Sequence, residues 1–519
     1  MRETWEVELE ELRRRTELAQ RMGGEERVQR QHDAGRLTVR ERIDKLLDPG
    51  TFHERGAIAG RATYEGTELV EFVPANFVMG TGRIDGRVVV VGGDDFTVRG
   101  GASDASIALK QIQAEQMARE FRVPIVRLVD GTGGGGSVKS YDQLGRTYVP
   151  ANPGWDHVVA ALSEVPVVAA ALGPVAGLGA ARVATSHFAL MVKGVSQVFV
   201  AGPPVVKHAM PEEPDKEELG GSHIHTRNGT ADNEVASEDD ALAQIRRFLS
   251  YMPSSVWDAP PRGAQFDPPD RRAEELLSVI PRDRRKPYNA RRIAELVLDE
   301  GSFFESGRLW GRPLITGFGR LHGWPVGVLA GDPLHYAGGL TADASDKLTR
   351  FVDLCDTFHL PAVNFVDQPG FVIGTTAERA ATIRKGARAL VAVYQATVPW
   401  VSVIVRKVFG VAGAAHGNAQ KLNYRFAWPS GDWGSLPLEG GIEAAFKRQL
   451  EASDDPDAMR RELEERYNLV RSPFRTAETF NVEEIIDPRD TRPLLCEWVV
   501  NAYRLVSQDL GPKARGLRP

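Results

Sequence analysis

Short apolar runs alternate with amphipathic stretches along most of the chain. The run 88–92 (VVVVG) is rich in β-branched residues and predicts a strand, and the stretch 104–121 has the spacing of an amphipathic helix. The apolar side of this helix carries Ile107, Ile112, Met117 and Phe121. Buried strands are predicted over 123–131 and 165–174, with a helix over 155–164 between them. Strands that alternate with helices favour a parallel sheet with crossover connections.

The same pattern occurs twice at a fixed spacing. Residues 81–131 match residues 318–370 at an offset of 237 positions, with a short insertion or deletion near the DAS of each copy. The matched pairs are Arg83 and Arg320, Gly86 and Gly323, Asp95 and Asp332, Pro124 and Pro361, and Asp130 and Asp367. The segments 37–54 and 288–305 also correspond. An offset held over such a span predicts two copies of one domain.

A segment rich in proline and charge lies between the copies, over residues 253–288. Because proline neither continues a helix nor donates to a strand ladder, this segment predicts a linker, with one short helix near 272–279. A long surface loop inside a single domain is the weaker alternative, since loops of that length are uncommon. The expected domains are therefore 1–252 and 289–519.

Composition narrows the class of protein. The chain has 519 residues, of which 42% are hydrophobic and 26% charged, as in ordinary globular proteins. A net charge of −6 argues against a general electrostatic grip on nucleic acid. The N-terminal segment has no apolar core and no run is long enough to cross a membrane, so we expect no signal peptide, no membrane span and a cytoplasmic location. The two cysteines, Cys355 and Cys496, lie in apolar surroundings and predict buried thiols.

Three familiar kinds of site do not fit the chain. The glycine run in 130–137 (DGTGGGGS) lacks the Lys-Ser/Thr pair of a phosphate-binding P-loop, and as a dinucleotide motif it is weak. No G-x-S-x-G nucleophile motif occurs. His223 and His225 stand two residues apart without further evident ligands, so they are interpreted as structural and no metal is predicted.

The content of glycine, 52 residues, is unusually high. Two glycine-rich turns lie at matching places in the two copies. One follows the strand 165–174 and spans 173–180; the other follows a predicted strand over 398–410 and spans 409–414. Such strand-to-helix turns present backbone N–H groups, and paired amides of this kind can form an oxyanion hole. The alternative is close helix–strand packing that requires small residues. Their occurrence in both copies favours function.

The residues that carry a family resemblance extend along nearly the whole chain. They are HDAGRLTVRERIDKLLDPGTFHE (32–54), AGPPVVK (201–207), EELGGSHIH (217–225), DPPDRRAEELLSVIP (267–281), VDQPGF (366–371), VPWVSVIVRKVFG (398–410) and IDPRDTRPLL (486–495). With these motifs the chain resembles the carboxyltransferase (β) subunits of biotin-dependent acyl-CoA carboxylases, of the propionyl-CoA carboxylase type. The resemblance implies an α/β fold of two tandem crotonase-like (ClpP/crotonase) domains built from ββα spiral units.

The resemblance also implies the chemistry. Carboxybiotin would arrive on a separate carrier protein, served by a biotin carboxylase partner, and its carboxyl group would pass to the α-carbon of an acyl-CoA. The active site would form between the N-domain of one subunit and the C-domain of another, in a homo-oligomer whose minimal active unit is a dimer and whose usual assembly is a hexamer. No biotinylation motif and no ATP-grasp-sized region occur, so both functions are expected on partners.

Site residues follow by motif. Gly177 and Leu178 are implied at the acyl-CoA thioester hole, and Val411 and Ala412 at the biotin hole. Substrate-binding positions are implied at Gly133, Gly134, Gly135, Gly136, Gly179, Gly413 and Ala414, and biotin-binding positions at Gly370, Phe371 and Gly410.

Several residues depart from the family pattern. Leu178 and Val411 stand where glycine is common, and Gly413 and Ala414 are smaller than usual, which predicts room for a different acyl group. The first alternative to a carboxylase is a component of a biotin-linked decarboxylase or a transcarboxylase, with the same site and other partners. A non-catalytic scaffold that binds acyl-CoA is the alternative from another class.

Overall fold

The computed structural model describes residues 4–102, 107–131, 138, 141–142 and 145–514. The chain divides into two compact units, of which the first ends at Trp257 and the second begins at Asp258. This division falls inside the segment 253–288, whose helical part is a single 3-10 turn over Glu274–Leu277. Among the described residues, no helix combines the length and apolarity that a membrane crossing requires.

The elements of the first unit follow the predicted alternation. Its strands are β1 (His53–Glu54), β2 (Gly60–Glu65), β3 (Glu68–Pro74), β4 (Phe77–Ile84), β5 (Arg87–Asp94), β6 (Ile125–Val129), β7 (Val167–Ala171), β8 (Pro174–Ala176), β9 (Phe188–Val192), β10 (Gln197–Phe199) and β11 (Asn233–Val235). Its helices are α1 (Glu6–Gln20), α2 (Glu25–Asp33), α3 (Val39–Leu46), α4 (Ala108–Phe121), α5 (Trp155–Ala161), α6 (Leu178–Ala184), α7 (Pro203–Ala209), α8 (Lys216–Gly220), α9 (Ser222–His225) and α10 (Glu238–Tyr251).

The second unit repeats this order. Its strands are β12 (Phe304–Ser306), β13 (Leu314–Leu321), β14 (Trp324–Gly331), β15 (Ala362–Gln368), β16 (Trp400–Phe409), β17 (Asn423–Ala427), β18 (Asp432–Gly434) and β19 (Glu484–Ile485). Its helices are α11 (Ala290–Val297), α12 (Ala342–Thr357), α13 (Thr375–Arg379), α14 (Thr382–Gln395), α15 (Gly410–Ala414), α16 (Leu438–Ala445), α17 (Lys447–Glu451), α18 (Pro456–Asn468), α19 (Pro473–Ala477) and α20 (Thr491–Val506).

Each unit is built on one mixed sheet. The first sheet has the order β1-β4-β5-β6-β7-β9-β11, and the second has the order β12-β13-β14-β15-β16-β17-β19, with β18 beside β16. In both sheets the first three strands pair antiparallel and the rest pair parallel. The parallel strands are joined by crossover segments, as the alternation of strand and helix predicts.

The offset of 237 reappears in the bounds of the strands. β4 and β13 differ by 237 at both ends, and so do β5 and β14. The helices α3 and α11 differ by 251 at both ends, as do the segments 37–54 and 288–305. The prediction of two copies of one domain is therefore confirmed.

The long helix α4 corrects one detail of the predicted apolar side. Its buried residues are Lys110, Ala114, Glu115, Met117 and Ala118. Phe121 lies at the helix end and is 59% exposed, so its place on the buried side was wrong. The alanines and the charged side chains of Lys110 and Glu115 fill that space instead. Lys110 bonds to the Gly56 carbonyl and Glu115 to Arg127.

Candidate active site

The glycine turn of the first unit joins β8 to α6. Gly177 has φ 60° and ψ −122°, a conformation that L-residues with a side chain rarely adopt. A Cβ on Gly177 would meet no atom of the described residues within 4 Å, so the turn needs glycine for its backbone angle. The Gly177 N–H donates to the Phe199 carbonyl at 3.2 Å. The N–H groups of Leu178 and Gly179 follow at the start of α6 and have no acceptor among the described residues.

The second unit has the same turn between β16 and α15. Gly410 has φ 61°, within one degree of Gly177. The N–H groups of Val411 and Ala412 open the short helix and likewise have no acceptor among the described residues. Each unit therefore presents two successive backbone donors just after a glycine with positive φ.

A buried carboxylate supports the turn of the first unit. Asp130, fully buried after β6, accepts hydrogen bonds from Arg42 at 2.9 Å and Gln31 at 3.3 Å, and Arg36 lies at 3.5 Å. Burial raises the pKa of the Asp130 carboxyl, an effect that the guanidinium groups of Arg42 and Arg36 oppose. Arg42 also donates to the Leu172 carbonyl at 3.0 Å, which ties the network to the strand end before the turn.

Asp367 holds the corresponding place in the second unit, after the first five residues of β15. It accepts hydrogen bonds from Tyr288 at 2.9 Å, from Arg406 Nε at 3.0 Å and from the Lys407 N–H at 3.2 Å. Burial and the nearby Asp367 carboxylate raise the pKa of Tyr288 well above its ordinary value. Because Lys407 lies three residues before Gly410, this carboxylate fixes the strand that leads into the turn.

His416 anchors the far side of the second turn. Its Nδ1 lies 2.8 Å from the Gly413 carbonyl, so this nitrogen carries the donated proton. Its own carbonyl accepts three side-chain hydrogen bonds, from Asn364 at 3.0 Å, Trp400 at 2.8 Å and Ser402 at 2.6 Å. Burial lowers the pKa of the His416 imidazole. The residue therefore connects the turn rigidly to β15 and β16.

A small cavity of about 40 Å³ lies under this turn. Ala412, Ala415 and His416 line it from the turn side. Its other walls come from the sheet and α12 and are mostly apolar, with the polar side chains of Asn364, Asp367 and Gln368 at one end. Ala412, one of the two donor residues, thus lines a partly open cavity.

The remaining predicted residues occupy varied places. Gly370 has φ 120°, and its carbonyl accepts from the Leu340 N–H at 3.0 Å. Phe371 packs against α14 at Gly386, where a Cβ would come within 2.4 Å of its ring. The predicted positions Gly133, Gly134, Gly135 and Gly136 lie outside the described residues.

The departures from the family pattern have distinct positions. Leu178 is 43% exposed and Val411 is 60% exposed, so each unit places an apolar side chain at the surface beside its two donors. Ala414 is also exposed. Gly413 is buried, and a Cβ there would come within 3.0 Å of the Val408 backbone. The open space predicted at Gly413 and Ala414 is therefore present only at Ala414.

His223 and His225 lie on the short helix α9. The ring Nε2 of His225 lies 2.8 Å from the Val198 carbonyl, a bond that joins the helix to β10. Among the described residues, no three histidine, cysteine or acidic side chains cluster as metal ligands would. Both cysteines are free and buried, as predicted.

Sequence reasoning missed the groups that support the turns. Arg42, Arg406, Tyr288 and His416 were not singled out, although they hold the buried carboxylates and the second turn. A signal did exist for the carboxylates, because Asp130 and Asp367 are a matched pair of the repeat. Their arginine partners come from different elements in the two units, so no repeat could have revealed them.

Comparisons with known proteins agree with one another. The chain matches the carboxyl transferase domain over residues 30–504. It is 37% identical over 500 residues to the propionyl-CoA carboxylase carboxyltransferase subunit of Haloferax mediterranei, covering 94% of this chain and 95% of that protein. It is 34% identical over 506 residues to the methylmalonyl-CoA decarboxylase subunit alpha of Veillonella parvula, covering 96% of both. Among solved structures it resembles the transcarboxylase 12S hexamer with methylmalonyl-CoA and methylmalonic acid bound, with a TM-score of 0.86, 31% identity, and coverage of 100% of this chain and 98% of that one.

Proposed function

The chain belongs to the carboxyl transferase domain family, and from that premise we propose which of its groups perform the reaction. Its function is that of an acyl-CoA carboxyltransferase. We propose that the donors Leu178 and Gly179 hold the thioester oxygen of the acyl-CoA, and that Val411 and Ala412 hold the ureido oxygen of biotin. One observation carries this proposal: each unit has the same glycine-led turn with two N–H groups that lack an acceptor among the described residues.

The thioester side requires donors that strengthen as negative charge develops. If the α-carbon passes its proton to biotin, negative charge moves to the thioester oxygen and an enolate results. Backbone N–H groups fixed in place stabilise such an oxygen without reorganising, which is the largest catalytic contribution in many sites of this kind. In this proposal Gly177 sets the backbone angle, while its own N–H stays with Phe199.

The second turn fits the ureido oxygen of biotin. Val411 and Ala412 offer two successive donors, Ala412 lines a partly apolar cavity, and His416 bonds to the Gly413 carbonyl in the same turn. When bound, carboxybiotin on a separate carrier would supply the carboxyl group that is transferred. The part of this chain is to hold the oxygen that gains negative charge and to orient the acyl α-carbon.

The wider setting is part of the same proposal. We infer a biotin carboxylase and a biotin carrier as partners, and assembly of this chain as a homo-hexamer, the assembly of the similar transcarboxylase 12S. We place the protein in the cytoplasm, which the two free cysteines support. Transfer toward the acyl-CoA is favoured by the 37% identity to a propionyl-CoA carboxylase subunit. The Veillonella decarboxylase subunit, at 34% identity, keeps decarboxylation as the second candidate.

The decisive experiment is reconstitution. The purified chain would be combined with a biotinylated carrier, a biotin carboxylase, ATP and labelled bicarbonate, and a series of acyl-CoAs would be screened for label in the product. The expected result is labelled product with at least one saturated short-chain acyl-CoA. Failure with every acyl-CoA, together with decarboxylation of a malonyl-type CoA in the presence of free biotin, would favour the decarboxylase.

A further inference from the structure

Four arginines surround a cavity of about 230 Å³ in the first unit. They are Arg27 and Arg30 on α2, Arg36 in the loop after it, and Arg99 in the turn after β5. Gln31, Phe96, Thr97 and Gly100 complete the lining, which holds no carboxylate. The chain as a whole has a net charge of −6, so a cavity lined by four guanidinium groups is a locally positive region of a negatively charged protein.

The arginines are arranged by their surroundings. Arg27 and Arg30 are one turn apart on α2, so their side chains share a face of the helix. Arg30 pairs with the exposed Glu26, and Arg27 has no ion pair or hydrogen bond with any described residue. Arg36 is only 14% exposed, and its guanidinium lies 4.6 Å from the centre of the Phe96 ring, which orients its plane.

The cavity adjoins the first glycine turn. A Cβ on Gly173, where the turn segment begins, would lie 2.8 Å from Arg36 Nη1 and 2.2 Å from Asp130 Oδ1. On the other side, Gly101 packs against the Asp130 carbonyl, and Ala176 N–H donates to the Gly131 carbonyl at 3.3 Å. A chain of direct contacts within one unit therefore joins the arginines to the residue before Gly177.

The second unit lacks this set of charges. At the offset of 237, Arg99 corresponds to Tyr336, Thr97 to Leu334 and Phe96 to Pro333. At the offset of 251, Arg36 corresponds to Pro287. Since the scaffold is the same in both units, the arginines serve something that only the first unit handles.

We propose that this cavity binds the phosphate groups of the nucleotide part of coenzyme A. Planar guanidinium groups bind phosphate oxygens through paired hydrogen bonds, and coenzyme A carries a 3′-phosphate and a diphosphate at the end remote from its thioester. This assignment rests on the proposed function, which gives the acyl-CoA to the first unit. The cavity then anchors the remote end of the substrate while the thioester lies at Leu178 and Gly179.

The test measures binding of CoA to the chain alone, so that it does not depend on carboxylation. Calorimetric titrations would compare CoA with dephospho-CoA, for the unaltered chain and for the variants Arg27→Gln/Arg30→Gln and Arg99→Gln. Each variant is expected to weaken CoA binding by about tenfold or more, because it removes charge-assisted hydrogen bonds. Binding by the unaltered chain is expected to weaken as salt is added. A loss for dephospho-CoA that equals the loss in the variants would assign the cavity to the 3′-phosphate, and a loss only in the variants would assign it to the diphosphate.

Arg13→Gln serves as the matched control. Arg13 is an exposed arginine on α1 that pairs with Glu10 and is not part of the cavity lining, so its loss lowers the charge as much as Arg99→Gln does without altering the cavity. In the reconstituted enzyme, the cavity variants should raise KM for acyl-CoA and leave KM for an acyl-pantetheine and kcat unchanged. Unaltered CoA affinity in both cavity variants, or an equal loss in the Arg13 control, would overturn the proposal. Carboxylation that fails while CoA binding still depends on the arginines would overturn the function instead and leave the cavity assignment standing.

Discussion

Lys110 in the first unit and Lys347 in the second are related by the offset of 237. The ammonium group of each donates a hydrogen bond to a glycine carbonyl, and the two glycines also occupy matching positions in the two units. The distances are 3.0 Å to Gly56 and 2.8 Å to Gly307. Arg40 with Glu54, and Arg291 with Glu305, form equivalent two-bond ion pairs. Such contacts set the backbone of the scaffold and have been kept in both copies.

The contacts around the buried carboxylates differ. Asp130 is held by Arg42 on α3, whereas Asp367 is held by Arg406 on β16 and Tyr288 before α11. Two of the four arginines of the cavity in the first unit, Arg99 and Arg36, correspond to Tyr336 and Pro287 in the second. The two units thus share the contacts that set the scaffold, and they differ in the contacts that support the turns and in the arginine cavity.

The largest expected effect comes from removing a buried carboxylate. Asp367→Ala would leave Arg406, which is 3% exposed, without a carboxylate partner among the described residues. Breaking a buried pair in this way costs about 3–5 kcal/mol. Asp130→Ala should cost less, because Arg42 keeps Glu238 at 2.7 Å.

Urea unfolding of the two variants would measure the difference. Asp239→Ala is a suitable control, since Asp239 is an exposed partner of Lys45 and its loss should change stability by less than about 0.5 kcal/mol. Equal destabilisation by Asp130→Ala and Asp367→Ala would show that Glu238 does not compensate and that the two networks are equivalent.

Removing one backbone donor from either turn should affect rate more than stability. Leu178→Pro and Ala412→Pro each delete one proposed donor, and such a loss lowers kcat by about 10²–10³-fold. The matched controls are Leu178→Gly and Ala412→Gly, which keep the N–H group. Steady-state carboxylation by folded, assembled variants provides the measurement, and near-normal turnover of either proline variant would remove that turn from the site.

A smaller effect is expected on the choice of acyl group. Ala414 is exposed beside the second turn, so Ala414→Ile narrows the approach without disturbing the core. The ratio of kcat/KM between a short and a longer acyl-CoA should shift by about tenfold, in line with the discrimination that one or two methylenes provide. Gly413→Ala should instead lower stability, because its Cβ would press on Val408. An unchanged acyl preference in Ala414→Ile would rule out a role for that position.

The smallest effect concerns pH. Burial lowers the pKa of both His225 and His416 below the ordinary value of 6.5, so these rings bind a proton less readily in the folded protein than in the unfolded chain. Stability is therefore complete above pH 6.5 and falls as the pH drops below it, because the unfolded state then binds more protons. His416→Gln should flatten this acid dependence for the second unit, and His225→Gln for the first. Unfolding midpoints measured between pH 5 and 8 would show the change in acid dependence. If the dependence of the midpoint on pH were the same in both variants as in the unaltered chain, the two histidines would not be its cause.

Much of the fold follows from local pattern. The β-branched run 88–92 lies inside β5, and the repeat located β13 and β14 because a strand register does not tolerate insertions. The orientation of α4 could not be deduced, since its buried face includes Lys110 and Glu115, whose partners are remote in sequence. The engagement of the Gly177 N–H with Phe199 is of the same kind, because a contact across 22 residues leaves no local trace.

Gly177 and Gly410 also bear on how sequence variants of this chain are interpreted. Among the described residues, a Cβ on Gly177 would meet no atom within 4 Å, and one on Gly410 would meet the Ser435 carbonyl, at 3.4 Å. Any method that scores a substitution by lost contacts or lost volume would therefore rate alanine at either position as harmless. Yet a residue with a side chain pays about 1–2 kcal/mol in the left-handed region, and it can relieve this cost by rotating the following peptide groups. Substitution at these two glycines is thus expected to be harmful through the backbone alone, with little change in side-chain packing.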